Sequence, residues 1–195
     1  MRYSAQHKEE TRRKILDAAA RRFRAQGYDG LGIDGLAQAA GVTNGAFYGN
    51  FASKADAYRE VVVAGLDALE EGVARFQRER GDDWIAALAD FYFSPPKIDC
   101  AENACALPSF APEAARAPIA TRAAFEAALL RVKDRLAAGL DGDDAEARAW
   151  RMLALFAGGV TLARAVPDAE LSRHIAAIAR ETVKAVAQPK TEQPR

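Results

Sequence analysis

Little in this sequence would support metal or nucleophilic catalysis. Its 195 residues contain two histidines and two cysteines. His7, His174, Cys100 and Cys105 form none of the H-x-x-x-H or C-x-x-C spacings that bring ligands together on one helix face or turn. A nucleophile elbow and a phosphate-cradling glycine loop are missing as well, so no enzyme activity, cofactor or metal is expected. Two cysteines are too few for a disulfide framework and fit a reducing compartment. No apolar run approaches the roughly 18 residues of a membrane span, and M-R-Y-S-A-Q-H-K-E-E lacks the apolar stretch of a secretory leader. Both absences point to a cytoplasmic protein with no membrane attachment. The formal net charge is zero, which argues against a nonspecific, architectural binder of nucleic acid, because such a protein relies on a large basic excess.

Half of the residues are hydrophobic, enough for a real core in a chain of this length. Their spacing is helical, strand-like alternation is missing, and Gly and Pro fall as punctuation, which predicts an all-α fold. After a polar stretch 1–8, expected to be disordered, Ile15, Leu16, Ala19 and Phe23 form a helical stripe from Glu9 that stops at Gly27. Ile33, Leu36, Ala37 and Ala40 repeat the spacing, with Gly32 as N-cap and Gly41 as a left-handed stop. Thr43 caps a short helix whose Phe47 and Phe51, four apart, hold it on a small core. This helix also carries Thr43, Asn44, Gly45, Tyr48 and Asn50, small or hydrogen-bonding residues that suit a DNA major groove better than open solvent. Ser53 caps a longer helix reaching about Gln77. Lys54, in its first turn, opposes the helix dipole unless an anion such as a DNA phosphate neutralises it. Residues 1–54 hold nine Lys or Arg against five Asp or Glu, and the rest eighteen against twenty-two, so the positive end is the end with this helix-turn-helix.

Gly27-Tyr28, Ile33, the A-x-x-A-G-V run from Ala37 to Val42, T-N-G-A-F-Y from Thr43 to Tyr48, Phe51 and Ser53-Lys54 stand in one order at fixed intervals. Residues 9–69, about a third of the chain, thereby resemble the DNA-binding domain of the TetR family of bacterial transcriptional repressors, with the helix-turn-helix at about 32–51. The sequence departs from the family at Gly32, where Ser or Thr is usual, and at Gly49-Asn50, where an aromatic or His followed by His is usual. The resemblance implies double-stranded, near-palindromic operator DNA as a partner and a homodimer formed through the last two long helices. It also implies a small-molecule effector held among the central helices. The candidate DNA contacts are therefore Thr43, Asn44, Gly45, Phe47, Tyr48, Asn50 and Lys54, of which Tyr48 and Lys54 match positions that the resemblance places on phosphate.

Residues 70–188 read as a larger helical domain for effector binding and dimerisation, and 189–195 as a disordered tail. Helices are expected from Asp82 or Asp83 to Phe93, around Pro108 to Arg116, from Pro118 to Gly139, and over 145–165 and 168–188, with an irregular segment from Lys97 to Ala106. The last two are apolar and rich in small residues, among them Ala157, Gly158, Gly159 and Val160, and Leu171, Ile175 and Ile178. A twofold four-helix interface with Ala157 and Val160 in the contact would cover them. Trp84, Phe91, Phe110, Phe125 and Trp150 are candidate walls of a cavity for an apolar or aromatic effector, with Arg116 or Arg122 as polar handles. Cys105 precedes a short helix whose dipole would lower its pKa. The alternative reading is therefore a repressor that senses oxidants or electrophiles through Cys105, with Cys100 nearby, and a nonspecific DNA-binding protein is a third.

Overall fold

The computed structural model describes residues 2–100, 102 and 104–188, with side chains from residue 6 onward; the expected disordered tail 189–195 lies outside these residues. Among the described residues the chain is helical with no strand, and no helix is long and apolar enough to cross a membrane. Helix α1 spans Arg2–Gln26, α2 Ile33–Ala40, α3 Asn44–Tyr48 and α4 Lys54–Arg80. After a 3-10 turn follow α5 Trp84–Tyr92, α6 Pro95–Asp99, α7 Ala106–Ala114, α8 Ile119–Ala137, α9 Ala145–Ala165 and α10 Ala169–Val186.

Local chemistry accounts for most of these limits. Gly27 and Gly41 stop α1 and α2 at positive φ, 75° and 66°. The Thr43, Ser53 and Asp168 side chains accept backbone N–H groups of Ala46, Asp56 and Leu171. Three expectations are corrected. Residues 2–8 are helical, not disordered, because nothing between Arg2 and Gly27 breaks a helix, and the Thr11 hydroxyl donates back to the His7 carbonyl at 2.8 Å. Helix α4 runs past Gln77 to Arg80, with no breaker before Gly81. The segment after Phe93 is not irregular from Lys97: Ser94 and two prolines open α6, prolines being acceptable in a first turn.

Two cores share one long helix. Phe23 of α1, Leu36 of α2, Phe47 of α3 and Phe51 pack on Ala57, Tyr58 and Val61 of α4, and Phe110 of α7 closes this N-terminal core. Further along α4, Leu66 and Val73 join Trp84, Leu88, Tyr92, Val132, Met152 and Phe156 in the second core. Any displacement of α4 in one core is therefore felt in the other. Val160, expected at a subunit contact, is only 2 % exposed and belongs to the second core, and Ala157 is half-buried. The outward faces of α9 and α10 instead carry Leu162, Leu171 and Ile178.

Candidate nucleic-acid interface and effector cleft

The turn between α2 and α3 is closed by Val42 N–H to the Ala37 carbonyl at 2.9 Å, a geometry that requires the left-handed Gly41. Thr43 then starts α3, and Phe47, fully buried, anchors it, with the Phe51 ring centroid 5.5 Å away. The Arg12 guanidinium lies 4.4 Å from the Phe51 ring, donates to the Asn50 carbonyl and pairs with Glu60, tying α1 and α4 to the end of the recognition segment. A short helix held from three sides presents its free face as a rigid surface.

Thr43, Asn44, Gly45 and Tyr48 are exposed on that face, Tyr48 at 57 %. The Asn44 amide donates to Asp34 in the first turn of α2, which orders it in the absence of any partner. Two candidate contact residues do not face outward. Phe47 is core, as its spacing with Phe51 demands, and the half-buried Asn50 turns its amide back to donate to the Ala46 carbonyl at 2.8 Å. Lys54 is half-buried with its ammonium 4.2 Å from the Tyr28 ring, so an aromatic face offsets part of the unfavourable dipole contact.

Tyr28 also links this surface to the larger lobe. Its backbone N–H donates to both Glu113 carboxylate oxygens, at 2.8 and 3.0 Å, and the Tyr58 hydroxyl donates to the same carboxylate at 3.2 Å. A Cβ at residue 27 would meet Glu113 Oε1 at 2.5 Å, so Gly27 is needed for both its φ and this approach. Burial, then the Glu113 charge, raises the Tyr58 phenol above its ordinary range. Helix α7 is thus fastened to the end of α1 and to α4. Sequence reading missed Arg12, Asp34 and Glu113, whose partners lie 48, 10 and 85 residues away and follow no periodicity.

A cleft of about 710 Å³ opens between α1, α4, α5 and α6, within the usual range for small-molecule sites. Of the expected aromatic walls only Phe91 lines it. Trp84 is buried and donates its indole N–H to the Gly139 carbonyl at 3.2 Å, fixing α5 on the end of α8. Phe110 is fully buried between the two lobes, and Arg116 and Trp150 stand on the outer surface. Phe125 lines a second pocket of about 290 Å³ with Ile119 and Arg122. Aromatic side chains fill cores more readily than they leave gaps.

Cys105 lines the larger cleft, and its thiol is shifted opposite to expectation: burial pushes it up and outweighs the lowering by Tyr92 and the start of α7. Tyr92 is raised too, burial being the first cause. The unfolded chain releases such protons near 9 for the thiol and 10 for the phenols, while the native protein still holds them. Stability present at neutral pH should therefore be lost as pH rises above about 9 towards the raised native values. Melting temperatures measured from pH 8 to 10.5 should fall, and fall less steeply in Tyr92→Phe; a flat profile in the wild type would contradict these shifts.

The family model described as "Bacterial regulatory proteins, tetR family" matches residues 15–61, from the middle of α1 to the first third of α4. Over 89 residues, 46% of this chain and 41% of the other protein, the sequence is 43% identical to the HTH-type transcriptional regulator AcrR of Shigella flexneri. Over 69 residues it is 41% identical to the HTH-type transcriptional regulator SrpR of Pseudomonas putida, covering 35% and 32% of the two chains. The chain thus spans less than half the length of these two curated relatives. Among solved structures, a TetR-family transcriptional regulator from Cytophaga hutchinsonii superposes with a TM-score of 0.80 at 20% identity, covering 93% of this chain and 94% of that one. Another from Agrobacterium tumefaciens gives 0.77 at 20% identity over 91% and 98%. At that identity the likeness speaks for the fold alone, over about nine-tenths of the chain and including the lobe outside the family match.

Proposed function

Because the chain belongs to the TetR family of bacterial regulatory proteins, we propose that it is a sequence-specific DNA-binding transcriptional regulator, a repressor that a small effector releases from its operator. The exposed face of α3 carries this reading. Asn44 offers an amide that matches the N6 and N7 edge of adenine, and the Thr43 methyl suits a thymine methyl. Gly45 would let the helix backbone approach, while the exposed Tyr48, and Lys54 once its ammonium leaves the Tyr28 ring, are assigned to phosphates. The exposed Leu162, Leu171 and Ile178 support a homodimer through α9 and α10. Two recognition helices on a twofold axis fit a near-palindromic site with half-sites about one helical turn apart.

Selection of retained fragments from a random duplex pool tests this reading, with an inverted repeat expected among the enriched sequences. On that site Lys54→Ala should lower the salt slope of binding by about one unit and weaken all sequences alike. Asn44→Ala should cost roughly 1–3 kcal/mol on the selected site and far less on one altered at a symmetric position. No enriched motif would contradict the function, and equal losses on both sites would contradict the role of Asn44.

The thiol-sensing alternative is less well supported, since a thiol held protonated by burial is a poor nucleophile. Release of DNA by peroxide from the wild type but not from Cys105→Ser would reinstate it.

A further inference from the structure

The 710 Å³ cleft is lined by two donors short of a good acceptor, the buried Nε of the half-buried Arg24 and the Tyr92 hydroxyl, which has only the Cys105 thiol beside it. Arg24 of α1 lines it with its Nε buried and unpartnered, and no carboxylate among the described residues lies within ion-pair distance of its guanidinium. Its neighbours are the Phe110 ring, 5.8 Å away, and α4 at Gly65. From α5, Tyr92 lines the same cleft at 4 % exposure, and its hydroxyl meets no partner at full hydrogen-bond geometry, with the weakly polar Cys105 thiol beside it. Burial of a donor without an acceptor destabilises a fold. Two in one cavity mark a place where an acceptor is missing.

The rest of the lining completes the ligand's description. Arg21, Arg75 and Lys97 add positive charge, against Asp17 and Glu102, both exposed. The walls between them are apolar, with Leu16, Leu69, Phe76, Leu88 and Phe91 on three helices. Space exists because α4 presents Ala64, Ala68 and Gly72, four residues apart, where longer side chains would fill it. Burial also lowers the Arg24 pKa from its usual value, as expected for a cation without a counterion.

We propose that this cleft binds an organic carboxylate with an apolar body, its headgroup held by the Arg24 guanidinium and the Tyr92 hydroxyl. A guanidinium fork matches the two carboxylate oxygens, and such charge-assisted bonds gain strength away from water. Arg24 sits on α1 and Tyr92 on α5, with α4 between them in the lining, so the headgroup would join the DNA-binding domain to the larger lobe across the helix that both cores share. The assignment deepens the effector reading above and rests on it.

Calorimetry on the DNA-free protein tests it with octanoate, decanoate and 4-phenylbutanoate against the alcohols and amines of the same skeletons. The acids should bind about tenfold or more tightly than the alcohols, and the amines least. Arg24→Met should weaken the acids about tenfold or more and leave the alcohols unchanged, and Arg24→Lys should restore part of the loss. Tyr92→Phe should weaken the acids while holding or raising the melting temperature at neutral pH, since it removes an unsatisfied hydroxyl; a purely structural tyrosine would lower it. Acids and alcohols binding alike, no binding of any acid, or unchanged acid affinity in both Arg24→Met and Tyr92→Phe would overturn the assignment. These outcomes are read without DNA, so they leave the regulator reading standing, whereas failure to select an operator would overturn that reading and not the site.

Discussion

Leucine at position 45 is expected to abolish selective DNA binding while leaving the protein folded and dimeric. Gly45 lies within α3 with ordinary helical φ, and a Cβ there meets nothing closer than Thr43 Oγ1 at 3.8 Å. The folded protein has room for the side chain, and replacing a helical glycine gains about 0.5–1 kcal/mol from reduced backbone entropy. Against DNA the same isobutyl group would hold the α3 backbone away from the base edges, and Asn44 and Thr43 would lose their reach together. Selectivity between the selected site and a scrambled duplex should fall from the ~10³-fold or more usual for specific binders to near unity, while nonspecific, phosphate-based affinity persists. Competition binding and a thermal melt decide this. Retained selectivity would remove α3 from the groove; a collapsed melt would make Gly45 a structural residue.

Ile178→Glu is expected to split the dimer. Ile178 is 55 % exposed on α10 and Leu162 61 % exposed on α9, while Ala176, Ala179 and Val183 of α10 face the protomer's own core. The protomer therefore folds without Ile178, and a glutamate there is harmless until a second subunit buries it. An unpaired buried carboxylate costs about 3–5 kcal/mol, and twofold symmetry places one on each side of the interface. Light scattering at micromolar concentration should give a dimer mass for the wild type and a monomer mass for the variant. Operator affinity should drop with it, because half-sites bound one at a time lose the effective concentration of a linked pair. A wild-type monomer would contradict the interface. Val160→Glu, by contrast, should unfold the protein, since Val160 is core and lines the cleft.

What the sequence made legible was local. Gly27, Gly32, Gly41, Thr43, Ser53 and Asp168 each act within a few residues of themselves, so helix ends could be read from residue type and the helix-turn-helix emerged with its exposed face nearly right. Residue type placed Asn50 on the open face, but its amide had a second outlet and donates to the backbone carbonyl of Ala46. Glu113 was invisible, since its partner lies 85 residues away. The cleft was misread for a related reason: large aromatics mark where volume is filled, while the space followed from Ala64, Ala68 and Gly72, which read as ordinary packing residues. Cys105 shows the limit of a local electrostatic rule, because tertiary burial outweighs the helix dipole that the sequence placed beside it.

The proposed regulator reads DNA sequence through α3 as one of a symmetric pair. A gel shift of the wild-type protein against the selected inverted repeat and a scrambled duplex, at two salt concentrations with the bound stoichiometry determined, tests this most directly. Two protomers per duplex and a preference for the inverted repeat at both salt concentrations are predicted. Equal shifts on the two duplexes, or no shift on either, would contradict it.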